Sequence, residues 1–319
     1  MKISIRRMIA QLSLSCIVAT GCLGWSAHVQ AQLVPGTGTI LKQVGDDFED
    51  PEWEYFHRGP KSSEEIDGQM RAPTGESKND RWFEGAKRGH PDVVKRVDTP
   101  PGGLPGSKGS LLLQSLQTGI PGRPSYKMQQ EDFIGNVQYR VGTLSVSRSP
   151  SVVTRVFLPP VDEWENRTGP TFAFRLALTT TVNKQSGRGL FSSTKRESET
   201  YWPGLFLEFV SKDGGRAEDD YAWLRVRSNN RGGDFKGMQV EQTGWWTMGL
   251  SVTPDGAVHY YAKPGLDDLT PDDHITSQYP YGYRAEGFKA FFFNVCNGDD
   301  GRTWSTPWIV DDTFVYVAR

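Results

Sequence analysis

Cysteine is almost missing from this chain. The 319 residues hold three, and only Cys296 lies beyond residue 31. A chain without residues 1–31 has no internal disulfide, so its fold must rest on buried apolar surface. Cys296 sits in the apolar run FKAFFFNVC (Phe288–Cys296), which predicts a buried, inert thiol. An excess of charge is also missing. The formal net charge is −2, and no basic amphipathic stretch is present. This excludes nucleic acid and a membrane surface as the main partners. Histidine is sparse: His57, His90, His259 and His274 follow residue 31, none paired at zinc-ligand spacing. There is no Gly-x-Ser-x-Gly elbow and no phosphate-cradling P-loop. No internal repeat of about 20–50 residues is visible, which sets aside propellers and solenoids. Long helical periodicity is absent as well.

What is present is turn chemistry and aromatic surface. The chain carries 35 Gly, 20 Pro and ten Trp, and 12% of it is aromatic. Short apolar runs between Gly/Pro turns read as strands. Thr171–Val182 alternates, with Phe172, Phe174, Leu176 and Leu178 on one face and Thr171, Ala173, Arg175 and Ala177 on the other. Ser110–Gln114, Val141–Ser147, Val152–Leu158, Leu205–Val210 and Tyr221–Arg227 are further strands. Trp245–Thr253 and Ala257–Ala262 form a hairpin across Pro254-Asp255-Gly256, where Pro presets the turn and Gly accepts positive φ. Leu266–Ile275 reads as one or two helical turns. Phe288–Val317 reads as two antiparallel strands around a polar loop, and the first and last strands are expected to lie together. The count is about eleven strands, which indicates a sandwich or jelly roll.

Lys2, Arg6 and Arg7 precede an apolar stretch, and Val29-Gln30-Ala31 fits a signal-peptidase site before Gln32. Residues 1–31 are expected to be a signal peptide, which leaves a net charge of about −5. A second reading takes Ala19-Thr20-Gly21-Cys22 as a relaxed lipobox with Cys22 as a lipid anchor. The protein is then secreted, periplasmic or at the cell surface. Residues 32–44 read as a linker and 45–319 as one domain. Within it, 58–108 is rich in Gly, Pro and charge and too poor in apolar residues for its own core, so it reads as a loop excursion.

Three stretches now carry a resemblance: Asp46-Asp47-Phe48-Glu49, WTMGLSVTPDGAVHYYAK (Trp246–Lys263) and WIVDD (Trp308–Asp312). Together they are similar to the concanavalin A-like (laminin G-like) jelly-roll superfamily of secreted bacterial proteins. The resemblance implies an all-β fold, an antiparallel two-sheet β-sandwich with long loops and little helix. That superfamily spans lectins, glucanases and polysaccharide lyases, so the fold alone does not choose a chemistry. Its glucanases resemble Glu-x-Asp-x-(x)-Glu on a strand. Here Glu65-Ile66-Asp67-Gly68-Gln69 lacks the closing Glu. Its alginate-lyase-like members resemble Tyr-Phe-Lys-Ala-Gly. Gly287–Phe291 is faintly similar, but the Gln-Ile-His motif is absent, which leaves that base without a candidate.

The aromatics are the strongest functional lead. Exposed rings stack on sugar faces while polar groups at their edges bond hydroxyls. Alternation puts Trp245 opposite Trp246, and Tyr260 opposite Tyr261, so one of each faces outward. Trp304, Trp245, Tyr261 and Arg302 are the expected ligand-binding residues of a Trp/Tyr-lined groove. Glu208, with Arg225 and Arg227 near it, is the carboxylate for an enzymatic reading. Asp46, Asp47, Asp311 and Asp312 would converge if the terminal strands pair, and such oxygen ligands suit a structural Ca²⁺. The leading function is polysaccharide recognition without nucleic acid and without a membrane span. A glycoside hydrolase or lyase, and a structural or adhesive envelope protein, are the alternatives.

Overall fold

The computed structural model describes residues 33–68, 71–186, 193–215 and 217–318. The expected signal peptide, its cleavage after Ala31 and the lipobox at Cys22 lie outside these residues. Gln32–Arg319 forms one compact unit. Its strands are β1 (Thr39–Asp46), β2 (Tyr55–Phe56), β3 (Glu76–Ser77), β4 (Trp82–Glu84), β5 (Val93–Asp98), β6 (Gly109–Gln114), β7 (Gln129–Gly135), β8 (Leu144–Ser145), β9 (Pro150–Leu158) and β10 (Gly169–Ser186). They continue with β11 (Ser193–Tyr201), β12 (Gly204–Val210), β13 (Tyr221–Arg227), β14 (Phe235–Val240), β15 (Gly244–Val252), β16 (Val258–Pro264), β17 (His274–Gln278), β18 (Gly287–Asn297) and β19 (Trp308–Val317).

Two antiparallel sheets stack face to face. The first runs β17-β16-β15-β9-β19-β6-β5, with β1 also on β19. The second runs β14-β13-β12-β10-β18-β7-β4-β3-β2, with β11 on β10 and β8 on β18. Among the described residues helix is confined to short turns. The architecture is the two-sheet jelly-roll sandwich that the resemblance implied. Its core is the inner face of each sheet, and the alternation read from sequence supplies it. Phe172, Phe174, Leu205, Leu207, Phe291 and Phe293 point inward and are fully or almost fully buried. Trp308 of the first sheet meets Phe172 of the second at 5.2 Å, and Trp82 stacks on Phe133 at 4.7 Å. The first pair adds to the area term that holds the two layers together, and the second fastens β4 to β7 within one sheet. Cys296 is buried and free, its thiol pushed up to about 12 by burial.

Several elements differ from the sequence reading. The strands β18 and β19 are not a hairpin: they belong to different sheets, and the polar loop between them crosses the sandwich edge. The terminal strands do pair, Thr39 with Val317 and Asp46 with Thr313. Strand β1 begins at Thr39, inside the stretch read as linker. The 58–108 segment is not an excursion, because it supplies β3 and β4 to one sheet and β5 to the other. Polar bonds within it, and one to Glu131 outside it, hold it instead of an apolar core of its own. The Glu84 carboxylate accepts from the backbone N–H of Ser62 (2.7 Å), Thr74 (2.9 Å) and Gly75 (3.1 Å). Lys61 Nζ lies 2.6 Å from both Asp92 and Glu131. The stretch Val141–Ser147 is broken where Gly142 adopts φ +79°, leaving only β8. Leu266–Ile275 contains a single 3-10 turn, Pro271–Asp273, before β17.

Candidate functional site

Alternation that buries the phenylalanines of β10 turns Arg175 to the opposite, outer face of the second sheet. Register then fixes its neighbours. Arg175 lies opposite Gly204 on β12 and Phe292 on β18, and Gly204 lies opposite Arg227 on β13. A Cβ at Gly204 would fall 2.5 Å from Arg175 Cγ, so glycine is what lets the arginine lie flat there. The guanidinium is held between the rings of Phe206 and Phe292, with centroids at 5.2 and 5.1 Å. Its Nη2 and Nε donate to the Trp202 carbonyl at 2.7 and 3.3 Å, and Nη1 donates to Asn294 Oδ1 at 3.2 Å. Asn294 in turn donates its amide N–H to Asp132, which fixes which end of the amide faces Arg175.

A cavity of about 180 Å³ opens here, lined by Lys87, Arg88, Arg175 and Arg227 with Asp132, and by the rings of Trp202, Tyr281 and Phe292. Four cationic side chains thus face one acidic one. Arg175 is 4% exposed. Burial, reinforced by Arg227, lowers its pKa to about 10. Arginine carries five N–H donors. Three reach protein acceptors, which leaves two without one among the described residues. Lys87 Nζ lies 4.7 Å over the Trp202 ring. Arg227 is partly neutralised by Asp234 at 2.8 Å and stacks on Phe206 at 4.7 Å. Tyr281 enters from the turn after β17 with φ +61° and is 37% exposed. A desolvated cation with unused donors and flanking aromatic rings suits a carboxylate or sulfate on a ring-shaped ligand.

The residues named from sequence fall in several places. Arg227 lines this cavity. Glu208 and Arg225 form an ion pair on the same face, one row further along β12 and β13. Burial raises the pKa of Glu208. Trp245 and Tyr261 are corrected as sugar platforms. They do point away from Trp246 and Tyr260, but each is covered, at 6% and 0% exposed. Trp245 packs edge-on to Phe157 at 5.4 Å, with the turn at Gly102 against it. Tyr261 sits in a small satellite core with Val153 and Leu269, closed by Val34 and Tyr316. Trp304 is 42% exposed, and Arg302 borders a separate hollow at the end of β18. Asp67 of the incomplete Glu-x-Asp motif lies on the four-residue helix Glu64–Asp67 and accepts from Arg71 at 2.8 Å.

Asp46 and Asp311 bond to protein donors. Asp46 accepts from Trp53 Nε1 (3.0 Å), Asn79 Nδ2 (2.6 Å) and the Phe48 N–H (3.2 Å). Asp311 accepts from the Ser107 and Ser110 hydroxyls, each at 3.0 Å, and from the Asp312 N–H at 2.8 Å. Burial and then Asp312 push Asp311 up to about 7. Burial also raises Asp312, with Asp47 and Glu49 adding to it. Among the described residues no three His, Cys, Asp or Glu side chains form a metal-binding group.

Sequence reading missed Arg175, Asn294, Asp132, Lys87, Arg88 and Tyr281 as one site. The one available signal was an arginine on the polar side of an otherwise apolar strand. No protein-family model and no curated protein matches the chain. Solved structures with a similar trace include an alginate lyase from Pseudomonas aeruginosa (9% identity, TM-score 0.36, 71% of this chain and 86% of that one). Others are an alginate lyase from Klebsiella pneumoniae (8%, 0.36, 85% and 95%) and an endo-β-1,4-glucuronan lyase from Trichoderma reesei (11%, 0.34, 83% and 94%). Likeness at this level carries no argument about chemistry, which rests on the geometry above. No helix among the described residues is long and apolar enough to cross a membrane.

Proposed function

We propose that this protein recognises an anionic polysaccharide, and that the cavity around Arg175 receives one acidic sugar unit. The buried guanidinium with two unused N–H donors carries the reading. Burying a cation this deeply is costly without a partner, and a planar carboxylate on the ligand supplies that partner through a bidentate bond. Lys87, Arg88 and Arg227 add attraction, while the Trp202 and Phe292 rings offer apolar surface to the sugar ring. Arg175→Gln and, separately, Arg227→Ala should each weaken binding of a soluble polyuronate by about 2 kcal/mol or more, as expected for truncating a charged hydrogen-bonded contact. Circular dichroism confirms folding of each variant. Undiminished binding by both folded variants would rule the site out.

A second reading has one observation in its favour. Tyr281 lines the same cavity as the Arg175–Asn294 pair. Neutralising a uronate carboxylate acidifies the proton beside it, and a tyrosine within reach, as its phenolate, can take that proton and pass it to the leaving glycosidic oxygen as the C–O bond breaks and a C=C bond forms, which is a lyase reaction. The test is the ultraviolet absorbance of an unsaturated sugar end, formed by the intact chain and lost in Tyr281→Phe. Export belongs to the same proposal, and intact mass of the mature protein separates cleavage after Ala31 from lipidation at Cys22.

A further inference from the structure

We infer that the loop closing β18 forms a second, distal sugar subsite, so that the ligand is a chain of several sugar units and not a single acidic sugar. This rests on the reading of the Arg175 cavity and extends it. Strands β18 and β7 carry Asn294 and Asp132 in register, and three residues further along the same pair ends at Asn297 and Gln129. That is about 10 Å of strand. Beyond it the loops 117–126 and 298–304 enclose a separate hollow of about 240 Å³, lined by Gln117, Ile120, Pro124, Tyr126, Asp300 and Arg302.

The hollow has the marks of a binding surface. Tyr126 is 73% exposed and Trp304, two residues past Arg302, is 42% exposed. Each ring keeps an apolar face free for a ligand. Tyr126 also stands at φ +55°, where a bulky side chain is strained. Buried Asp299 enforces that conformation. Its carbonyl accepts the Tyr126 N–H at 3.0 Å and its carboxylate accepts the Ser125 N–H at 2.7 Å. The loop behind it is locked as well. Asn297 donates to the Thr303 carbonyl at 2.8 Å, and Asp300 accepts from the Arg302 and Thr303 N–H groups, each at 2.7 Å. The Arg302 guanidinium has no ion pair or hydrogen bond among the described residues. The two loops thus present an aromatic face and an exposed guanidinium beside Asp300, which match the apolar face and the carboxylate or hydroxyls of a pyranose.

The experiment is calorimetry of polyuronate oligosaccharides, from disaccharide to decasaccharide, on the mature chain, on the double variant Tyr126→Ala/Arg302→Ala, and on Arg175→Gln. Affinity of the unaltered chain should rise with length. The double variant should lose about tenfold on the long chains alone, the size of one stacked ring with its polar contact. A flat length dependence, or equal binding of decasaccharide by the double variant, overturns the distal subsite. If Arg175→Gln binds as the unaltered chain does while the double variant fails at every length, the reading of the Arg175 cavity falls instead. If no length binds, both fall.

Discussion

Replacing Asp311 with asparagine should make the protein more stable at pH 8 and leave it unchanged at pH 4. Asp311 is 1% exposed, and burial together with Asp312 pushes its pKa from 3.8 to about 7. Between these values the folded state holds a proton that the unfolded chain has released. The stability this group contributes is therefore complete below about pH 4 and is lost as pH rises to 7. At about 1.4 kcal/mol per unit the loss is at most about 4 kcal/mol, and nearer 2 kcal/mol once solvent screening is allowed for. Asparagine keeps the oxygen that accepts the Asp312 N–H, and the Ser107 and Ser110 hydroxyls can reorient toward its amide. Thermal melts of both proteins from pH 4 to pH 8 measure the difference, which should reach several degrees at pH 8. A less stable Asp311→Asn at pH 8 would refute the argument. So would a fall in the melting temperature of the unaltered chain on chelation. Either result would mean that a cation holds the carboxylate ionised, as a structural Ca²⁺ at Asp46, Asp47, Asp311 and Asp312 requires.

Other outcomes follow from the packing. Phe293→Ala should cost about 3–5 kcal/mol in denaturant unfolding, because its ring is fully buried against Phe172 and Phe174 at 5.5 and 5.7 Å. Lys61→Met should cost about 3–5 kcal/mol by leaving the buried Glu131 carboxyl without its cation, since Glu131 is fully buried and sits 2.6 Å from the ammonium; an unchanged midpoint would show that Glu131 does not need that partner. Trp245→Ala should lower the melting temperature yet leave polysaccharide affinity intact, and a loss of affinity would return Trp245 to the groove.

The fold was legible because a sandwich writes its periodicity locally. Phe172 to Leu178 alternates within one strand, and Pro254-Asp255-Gly256 carries its own turn chemistry. The site was far less legible because register is a non-local property. Lys87, Asp132, Arg175, Trp202, Tyr281 and Asn294 come from six separate segments, and only strand pairing, with the loops it positions, brings them together. Alternation required one ring of each pair to leave the inter-sheet core, and Trp245 and Tyr261 are the ones that do. It could not show that the turn at Gly102 and the segment at Val34 lie over them. The 58–108 segment misled for a related reason. Its low apolar content excludes a core of its own, yet Glu84 ties its turns together and Lys61 docks it on Glu131, through polar bonds that hydropathy does not register.

The most direct test of the central claim uses one polymer in two charge states. Calorimetry would compare a polyuronate with the same chain after its carboxyl groups are reduced to alcohols. The account predicts binding of the acidic polymer, weakened by salt, and binding at least about a hundredfold weaker for the reduced one, since a buried charged contact is lost. Equal affinity for both polymers would contradict it, because Arg175 would then have no carboxylate to meet.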